Sequence, residues 1–164
     1  MAGTLKSTAG LKTNKALSKK RFVIVVAEWN EAITEALYEG AYNGLVDLGV
    51  TKKNIERVNV PGTFELTLGA LRAAQQRNID AVICLGCVIQ GETPHFDYIC
   101  QAAAYGITEV NLKTGKPVIF GVLTTLNKKQ ALERAGGKYG NKGEEAAVTA
   151  VRMLGYSGTQ IVHN

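Results

Sequence analysis

The sequence predicts an α/β protein with a parallel sheet of four strands and helices on both faces. Two observations support this fold class. Four short runs of β-branched and other apolar residues lack the alternation of a half-exposed strand, as is typical of strands buried on both faces. Each run is followed by a segment in which apolar residues repeat at helical spacing. This alternation predicts parallel pairing, because parallel strands need a crossover connection.

The predicted elements follow one another at regular intervals. Strands are predicted at Phe22–Ala27, Ile55–Val60, Ala81–Leu85 and Val118–Leu123. Helices are predicted at about residues 31–48, 63–77 and 144–154, with two more that begin near residues 94 and 128. Four side chains are expected to cap helices: Asn30, Thr63, Thr93, and Asn127 in a capping box with Gln130. Gly49 is expected to end the first helix. Right-handed crossovers then favour a flavodoxin-like, doubly wound sheet.

The chain divides into a basic N-terminal arm, residues 1–21, and a single α/β domain, residues 22–164. The arm holds six of the 19 basic residues and no acidic one, which leaves 13 basic against 14 acidic residues in the domain. A nucleic-acid-binding domain would show a basic face within the fold, so no nucleic-acid partner is expected. A solvated arm is the favoured interpretation, and polyanion binding and an organelle transit peptide are the alternatives.

Composition argues against several other classes of protein. The longest apolar run, Ala81–Ile89, has nine residues, whereas a membrane-spanning helix needs about 20. The arm has no apolar segment typical of a secretory signal. The odd count of three cysteines indicates buried thiols in a reducing compartment, and we expect a cytoplasmic protein. With two histidines and no clustered carboxylates, no metal site is predicted.

The candidate site lies at the turns after the strands, because doubly wound sheets bind ligands beyond the carboxyl ends of their strands. After the third strand, Thr93 and Pro94 are predicted to start a helix whose free first-turn amides suit a phosphate. His95 in that turn can donate or accept a proton near neutral pH. Trp29 after the first strand could stack on a flat ring or pack against the sheet edge. Glu65 could bind a polyol, although complementing the helix dipole is the favoured local interpretation.

Three residues outside those turns have ordinary local interpretations. Phe120 falls inside a strand, where the default is the core. Arg134 and Lys142 flank a glycine-rich loop and are expected to be solvated charges, although an arginine can hold phosphate with two hydrogen bonds. Cys84 and Cys87 have the spacing of a redox pair but lie in a strand, which disfavours redox chemistry. The residues alone therefore lead to a site for a phosphate and a ring, and no further.

In five segments the sequence closely resembles the lumazine synthase family, over about Phe22 to Leu154. The segments are Trp29-Asn30 and residues 60–65 (VPGTFE), 85–97 (LGCVIQGETPHFD), 117–124 (PVIFGVLT) and 133–143 (ERAGGKYGNKG). The resemblance implies a transferase that condenses 5-amino-6-(D-ribitylamino)uracil with 3,4-dihydroxy-2-butanone 4-phosphate. The product is 6,7-dimethyl-8-ribityllumazine, with release of phosphate and water, in the penultimate step of riboflavin biosynthesis. No cofactor is implied.

The resemblance also implies a role for each site residue. The residues expected to bind substrate are Trp29, Thr63, Phe64, Glu65, Cys87, Val88, Ile89, Glu92, Thr93, Phe120, Arg134 and Lys142. Trp29 would stack on the pyrimidine, residues 63–65 would hold the ribityl chain and ring, and residues 87–89 would line the pyrimidine edge. Residues 92–93 would bind the phosphate, and His95 would transfer protons. Phe120 and Arg134 would come from a neighbouring subunit, with Arg134 on the phosphate.

The resemblance further implies a homo-oligomer. The family forms pentamers with active sites between neighbours, and in some members twelve pentamers close into an icosahedral shell. The short connector at residues 136–143 favours the 60-subunit shell, and an association with riboflavin synthase is a further expectation. Glu28 and Gln90 stand where many members carry a basic residue, and Trp29 where Phe is commoner. The alternative is a non-catalytic, flavin- or phosphate-binding shell protein; the presence of both His95 and Arg134 favours the enzyme.

Overall fold

The computed structural model describes residues 15–155, in which five helices and six strands alternate. In chain order these are β1 Phe22–Ala27, α1 Glu31–Asp47, β2 Ile55–Val60, α2 Leu66–Ala74, β3 Ala81–Ile89, α3 His95–Thr114, β4 Val118–Thr125, α4 Lys128–Leu132, β5 Ala135–Gly137, β6 Gly140–Asn141 and α5 Lys142–Gly155. Two short 3₁₀ helices cover Lys15–Lys19 and Lys52–Asn54.

Within the described residues, one parallel sheet has the strand order β2-β1-β3-β4. β1 pairs with both neighbours: Phe22 lies opposite Ile55 of β2 and Ala81 of β3. The predicted α/β class and the doubly wound parallel sheet are confirmed. β3 is longer than predicted, because beyond Leu85 it continues to Ile89 alongside β4. β3 and β4 therefore extend past the end of β1 and form a ledge at the carboxyl edge of the sheet.

Helices cover both faces of the sheet, as the unbroken apolar runs predict. Phe22, Ile24 and Val26 of β1 point to one face, where α1 and α5 pack on them. The alternate residues of β1 point to the other face, where α2 and α3 pack. All six residues of β1 are buried. The two apolar cores lie on opposite sides of this central strand.

The helix caps agree with the sequence only in part. Gly49, with φ of 105°, ends α1 as predicted: its N–H donates to the Val46 oxygen and that of Val50 to the Leu45 oxygen. Asn127 caps α4 as predicted, since its Oδ1 accepts from the Gln130 N–H at 3.0 Å. The Gln130 side chain in turn accepts from the N–H of Leu126.

Three predicted caps are wrong. Asn30 precedes α1, but it has a left-handed backbone (φ 61°) and makes no capping bond, because its side chain bonds to β3. α2 begins at Leu66 and not near Thr63, because residues 62–66 form a tight turn in which the N–H of Glu65 donates to the Gly62 oxygen. α3 begins at His95 with Pro94 in the cap position, so Thr93 lies one residue too early to cap it.

The end of the predicted basic arm is attached to the domain. Leu17 packs against the α1 side of the core, and the Ser18 carbonyl accepts hydrogen bonds from the side chains of Thr51 and Asn54. Lys20 Nζ lies 2.8 Å from Asp80 Oδ1. Residues 1–14 of the arm lie outside the described residues, as do residues 156–164 at the other end of the predicted domain.

Glycine allows α1 and α5 to pack in close contact. A Cβ at Gly143 of α5 would overlap the Leu37 carbonyl group of α1, which is backbone and cannot turn aside. A Cβ at Gly44 of α1 would lie 3.2 Å from Ala147 Cβ. Because the two helices cover one whole face of the sheet, their separation determines how well that core is packed.

We predict that Gly143→Ala lowers the free energy of unfolding by about 1–3 kcal/mol or more, since 1–3 kcal/mol is the usual cost of overpacking a core. Denaturant unfolding at a fixed protein concentration measures it. Gly155→Ala, at the end of the same helix, is the matched control, because beyond the adjacent backbone no atom of residues 15–155 would lie within 4 Å of a Cβ there. Equal losses in the two variants would contradict the close contact at Gly143.

Candidate active site

The carboxyl ends of the four main strands lie at one edge of the sheet, and the turns after β1, β2 and β3 carry the predicted site residues. Ala27 at the end of β1 lies level with Val60 at the end of β2. The backbone joins the first two turns, because the N–H of Glu28 donates to the Val60 oxygen at 2.9 Å and that of Trp29 to the Pro61 oxygen at 3.2 Å. The turns after β1 and β2 therefore form one surface.

Trp29 projects from this surface. Its side chain is 74% exposed, so it does not pack against the sheet edge. The next residue, Asn30, fixes the turn: its Nδ2 donates to the Cys87 oxygen on the β3 ledge at 2.9 Å. That carbonyl is available because β3 has extended beyond its partner β1 at this point. An exposed aromatic ring held by a fixed turn is suited to stack on a flat ligand.

Glu65 lies beside Trp29. A Cβ at Gly62 would lie 3.0 Å from Glu65 Oε2 and 3.5 Å from Trp29 Cδ1, so the carboxylate and the indole flank the same glycine. Phe64, which precedes Glu65 in the turn, is 57% exposed. Thr63 is buried, with its hydroxyl 2.8 Å from the place where a Cβ of Gly86 would stand. The exposed contacts of this segment therefore come from Phe64 and Glu65, while Thr63 packs the turn onto β3.

The β3 ledge contributes neutral, mainly apolar groups. Val88 and Ile89 are half-buried, and Cys87 is buried. Burial raises the pKa of the Cys87 thiol to about 11 and that of the Cys84 thiol to about 12, so both stay protonated near neutral pH. The two thiols also pack on opposite faces of the sheet. Both thiols therefore serve to pack the core. A nucleophilic or redox-active cysteine would need a lowered thiol pKa and access to solvent.

The turn from β3 to α3 forms the other side of the site. The N–H of Gln90 donates to the Thr125 oxygen of β4 at 2.8 Å, and residues 91–95 are exposed. In the described chain no side chain caps the start of α3. The Asp97 N–H donates to the Pro94 oxygen, which leaves the first amides of α3, at His95 and Phe96, together with the helix dipole, suited to an anion. His95 is the first helical residue and stands in the same turn as those amides.

One further predicted site residue, Phe120, lies away from this edge. Phe120 is opposite Cys84 in the middle of β4, five residues or about 16 Å from the strand end at Thr125. It is 42% exposed, so the local expectation of a core residue is wrong. The reason is that β4 is an edge strand, whose outer side has no neighbour within the described residues.

Arg134 and Lys142 lie at the β5–β6 hairpin, which the sequence did not predict. Arg134 Nη1 donates to the Gln130 oxygen at 3.0 Å, and its guanidinium carbon lies 4.8 Å from the centre of the Tyr139 ring. Lys142 Nζ lies 2.8 Å from both carboxylate oxygens of Glu145, so this cation is already neutralised. Neither is the freely solvated charge that local reasoning expected.

Sequence reasoning missed the tertiary role of Asn30. Among the described residues it is the one non-glycine with positive φ, a conformation that asparagine tolerates better than most residues. An asparagine in the short turn between a buried strand and a helix was therefore as good a signal for a strained turn as for a helix cap. Between residues 15 and 155, no three His, Cys, Asp or Glu side chains group to hold a metal, and no helix has the length and apolar character needed to cross a membrane.

Comparison with known proteins gives a consistent result. Residues 19–157 match the family described as 6,7-dimethyl-8-ribityllumazine synthase. A protein of that name from Cytophaga hutchinsonii is 69% identical over 138 residues, which cover 84% of this chain and 87% of the relative. Two others of that name come from Parabacteroides distasonis (56% over 140 residues, 85% and 88% covered) and Porphyromonas gingivalis (58% over 135 residues, 82% and 84% covered).

We predict that Cys84 and Cys87 resist alkylation in the native protein at pH 8. With a pKa of about 11, Cys87 is thiolate in about one molecule in a thousand, and Cys84 in fewer. Mass spectrometry after brief iodoacetamide treatment checks this, with urea-unfolded protein as the control in which both thiols react. Rapid native labelling of either cysteine would contradict its burial.

Proposed function

This chain belongs to the 6,7-dimethyl-8-ribityllumazine synthase family, and we propose that it condenses 5-amino-6-(D-ribitylamino)uracil with 3,4-dihydroxy-2-butanone 4-phosphate. The product is 6,7-dimethyl-8-ribityllumazine, with release of phosphate and water, in riboflavin biosynthesis. The observation that carries the proposal is the carboxyl edge of the sheet, where an exposed indole, a carboxylate and an uncapped helix start with a histidine face solvent.

Each side of this edge suits one substrate. Trp29 would stack on the pyrimidine, and Glu65 beside it would accept hydrogen bonds from the ribityl hydroxyls, as its position next to Gly62 supports. Residues 87–89 would line the ring edge. The phosphate would bind to backbone amides at residues 92–93, in the turn before α3, and to the positive end of the α3 dipole. Glu92 would contribute its amide only, because its carboxylate would repel the anion.

His95 is the group that we assign to proton transfer. Imine formation between the uracil amine and the ketone, elimination of phosphate and ring closure each move protons but need no redox step. An exposed imidazole in the turn that would bind the phosphate can take and return these protons. The neutral, buried thiols of β3 need take no part. Holding two substrates side by side would supply much of the remaining rate.

We also propose that the working form is a homo-oligomer whose sites lie between subunits. The family resemblance assigns both Phe120 and Arg134 to the site. Phe120 lies far from the carboxyl edge, and the Arg134 guanidinium contacts residues of its own segment of the chain. α3 carries a stripe of large exposed side chains at seven-residue spacing, Tyr98, Tyr105 and Leu112, each at least 70% exposed. Such a stripe on one helix face is typical of a contact surface.

The finer expectations about assembly and location belong to the same proposal. We propose a pentamer, with twelve pentamers in a 60-subunit shell, in the cytoplasm, and an association with riboflavin synthase. The tight β5–β6 hairpin, which makes residues 136–143 a short connector, supports the shell. The alternative of a non-catalytic flavin- or phosphate-binding shell protein lacks support, because the three relatives described above are named as synthases.

The direct test mixes the two substrates with purified protein and follows lumazine fluorescence. We predict that His95→Ala lowers kcat about 100-fold, the low end of the range for acid–base catalysis, since such condensations also proceed slowly unaided. Lys113→Ala, on the exposed far end of the same helix, is the matched control and should leave kcat unchanged. An unaltered rate in the histidine variant would remove His95 from the mechanism.

We predict an active species several times heavier than the 17.6 kDa chain, measured by light scattering. Tyr105→Glu should lower that mass, because it puts a charge in the middle of the exposed stripe on α3. Arg77→Glu, an exposed charge change outside the stripe, should not. Activity in a species of monomer mass would rule out sites shared between subunits.

A further inference from the structure

Asn141, the last residue of β6, uses both ends of its side chain to join three elements. Its Nδ2 donates to the Ala36 carbonyl of α1 at 2.8 Å. Its Oδ1 accepts from the N–H of Gly143, in the first turn of α5, at 2.8 Å. The side chain is half-buried between these partners. Asn141 therefore anchors the β5–β6 hairpin to the helical layer.

α1 has a notch that fits this side chain. A Cβ at Gly40, one turn after Ala36, would overlap the Asn141 amide group. The glycine thus leaves room for the amide to approach a carbonyl in the helix interior, which keeps a lone pair for a second donor. An aspartate of the same shape would fit the notch but would place a carboxylate oxygen against that carbonyl.

The hairpin that Asn141 anchors carries Arg134. Ala135, the next residue, pairs with Asn141 across the two strands, and the N–H of Lys142 donates to the Arg134 oxygen at 2.9 Å. The Arg134 side chain lies on the ring of Tyr139, a residue of the hairpin turn. Both the backbone and the guanidinium of Arg134 are therefore located relative to the hairpin and, through Asn141, relative to α1.

We propose that Asn141 is a positioning residue for Arg134, which it holds where the guanidinium receives the phosphate of the butanone substrate. This rests on the proposed function, in particular on the role of Arg134. Two-point recognition of a phosphate by an arginine depends on a fixed orientation, and a small displacement of such a group costs affinity. Without this anchor the glycine-rich hairpin can adopt more than one position relative to α1, and Arg134 moves with the hairpin.

The test compares Michaelis constants for the two substrates. Asn141→Asp should raise the KM for butanone phosphate about three- to tenfold, the effect of losing one partly buried hydrogen bond, and leave the KM for the uracil and kcat within about twofold. Gly40→Ala, which fills the notch from the α1 side and leaves Asn141 intact, should give the same split. If Asn141→Asp folds poorly, Gly40→Ala provides the test in its place.

The matched control is Asn111→Asp. Asn111 also joins a helix to a strand through both ends of its side chain, donating to the Val118 oxygen and accepting from the Val118 N–H. It lies at the other end of the sheet, so its loss should lower stability without splitting the two Michaelis constants. A similar split in this control would overturn the proposal, because general loss of stability would then explain the effect.

A double-mutant cycle with Arg134→Ala decides whether Asn141 acts through the arginine. In the Arg134→Ala background, Asn141→Asp should have no further effect on the KM for butanone phosphate. The same three- to tenfold rise in that background would overturn the positioning role. So would an Arg134→Ala variant with an unchanged KM for butanone phosphate.

Calorimetry with inorganic phosphate separates this proposal from the proposed function. Should the wild-type protein form no lumazine, the synthase activity fails, but the positioning role is still measured: Asn141→Asp should weaken phosphate binding only when Arg134 is present. Lumazine formation with no effect of Asn141→Asp on either KM or on phosphate binding would overturn the positioning role alone.

Discussion

β1 lies between two parallel strands and has all six side chains buried, so the fold must place an apolar layer on each of its faces. α1 and α5 supply one layer, and α2 and α3 the other. Because the strands run parallel, all their carboxyl ends lie at the same edge. The turns after the strands lie beyond the two cores, so they can present exposed side chains, as they do at Trp29, Glu65 and His95, although Thr63 packs back onto β3.

Elements governed by local sequence were predictable, and those governed by distant contacts were not. β1 and β2 have the predicted bounds, and Asn127 caps α4, since a capping box needs only neighbouring residues. Asn30 is not a cap, because its side chain bonds to Cys87, far along the chain. β3 is longer than the predicted strand and covers the whole apolar run Ala81–Ile89, because β4 continues beside it to the same level.

The same distinction applies to the site. The strand-end rule located the turns that carry Trp29, Glu65 and His95 without knowledge of any partner. Phe120 was misjudged, because the position of a strand within a sheet cannot be read from its own residues. Asn141 was missed altogether, because its significance depends on Gly40, a hundred residues earlier. The ion pair of Lys142, in contrast, could have been predicted, because Glu145 stands three residues later, at the spacing of side chains that meet on one helix face.

The burial of β1 also has a consequence for internal motion. Its backbone amides pair with strands on both sides, so they can exchange hydrogen with water only when the sheet as a whole opens. The exposed turns beyond its end can open locally, at much lower free energy. The bound ligand would thus sit on the boundary between the slowest- and the fastest-exchanging parts of the molecule. Adjustments of the rim during each turnover can then occur without loosening the sheet beneath it.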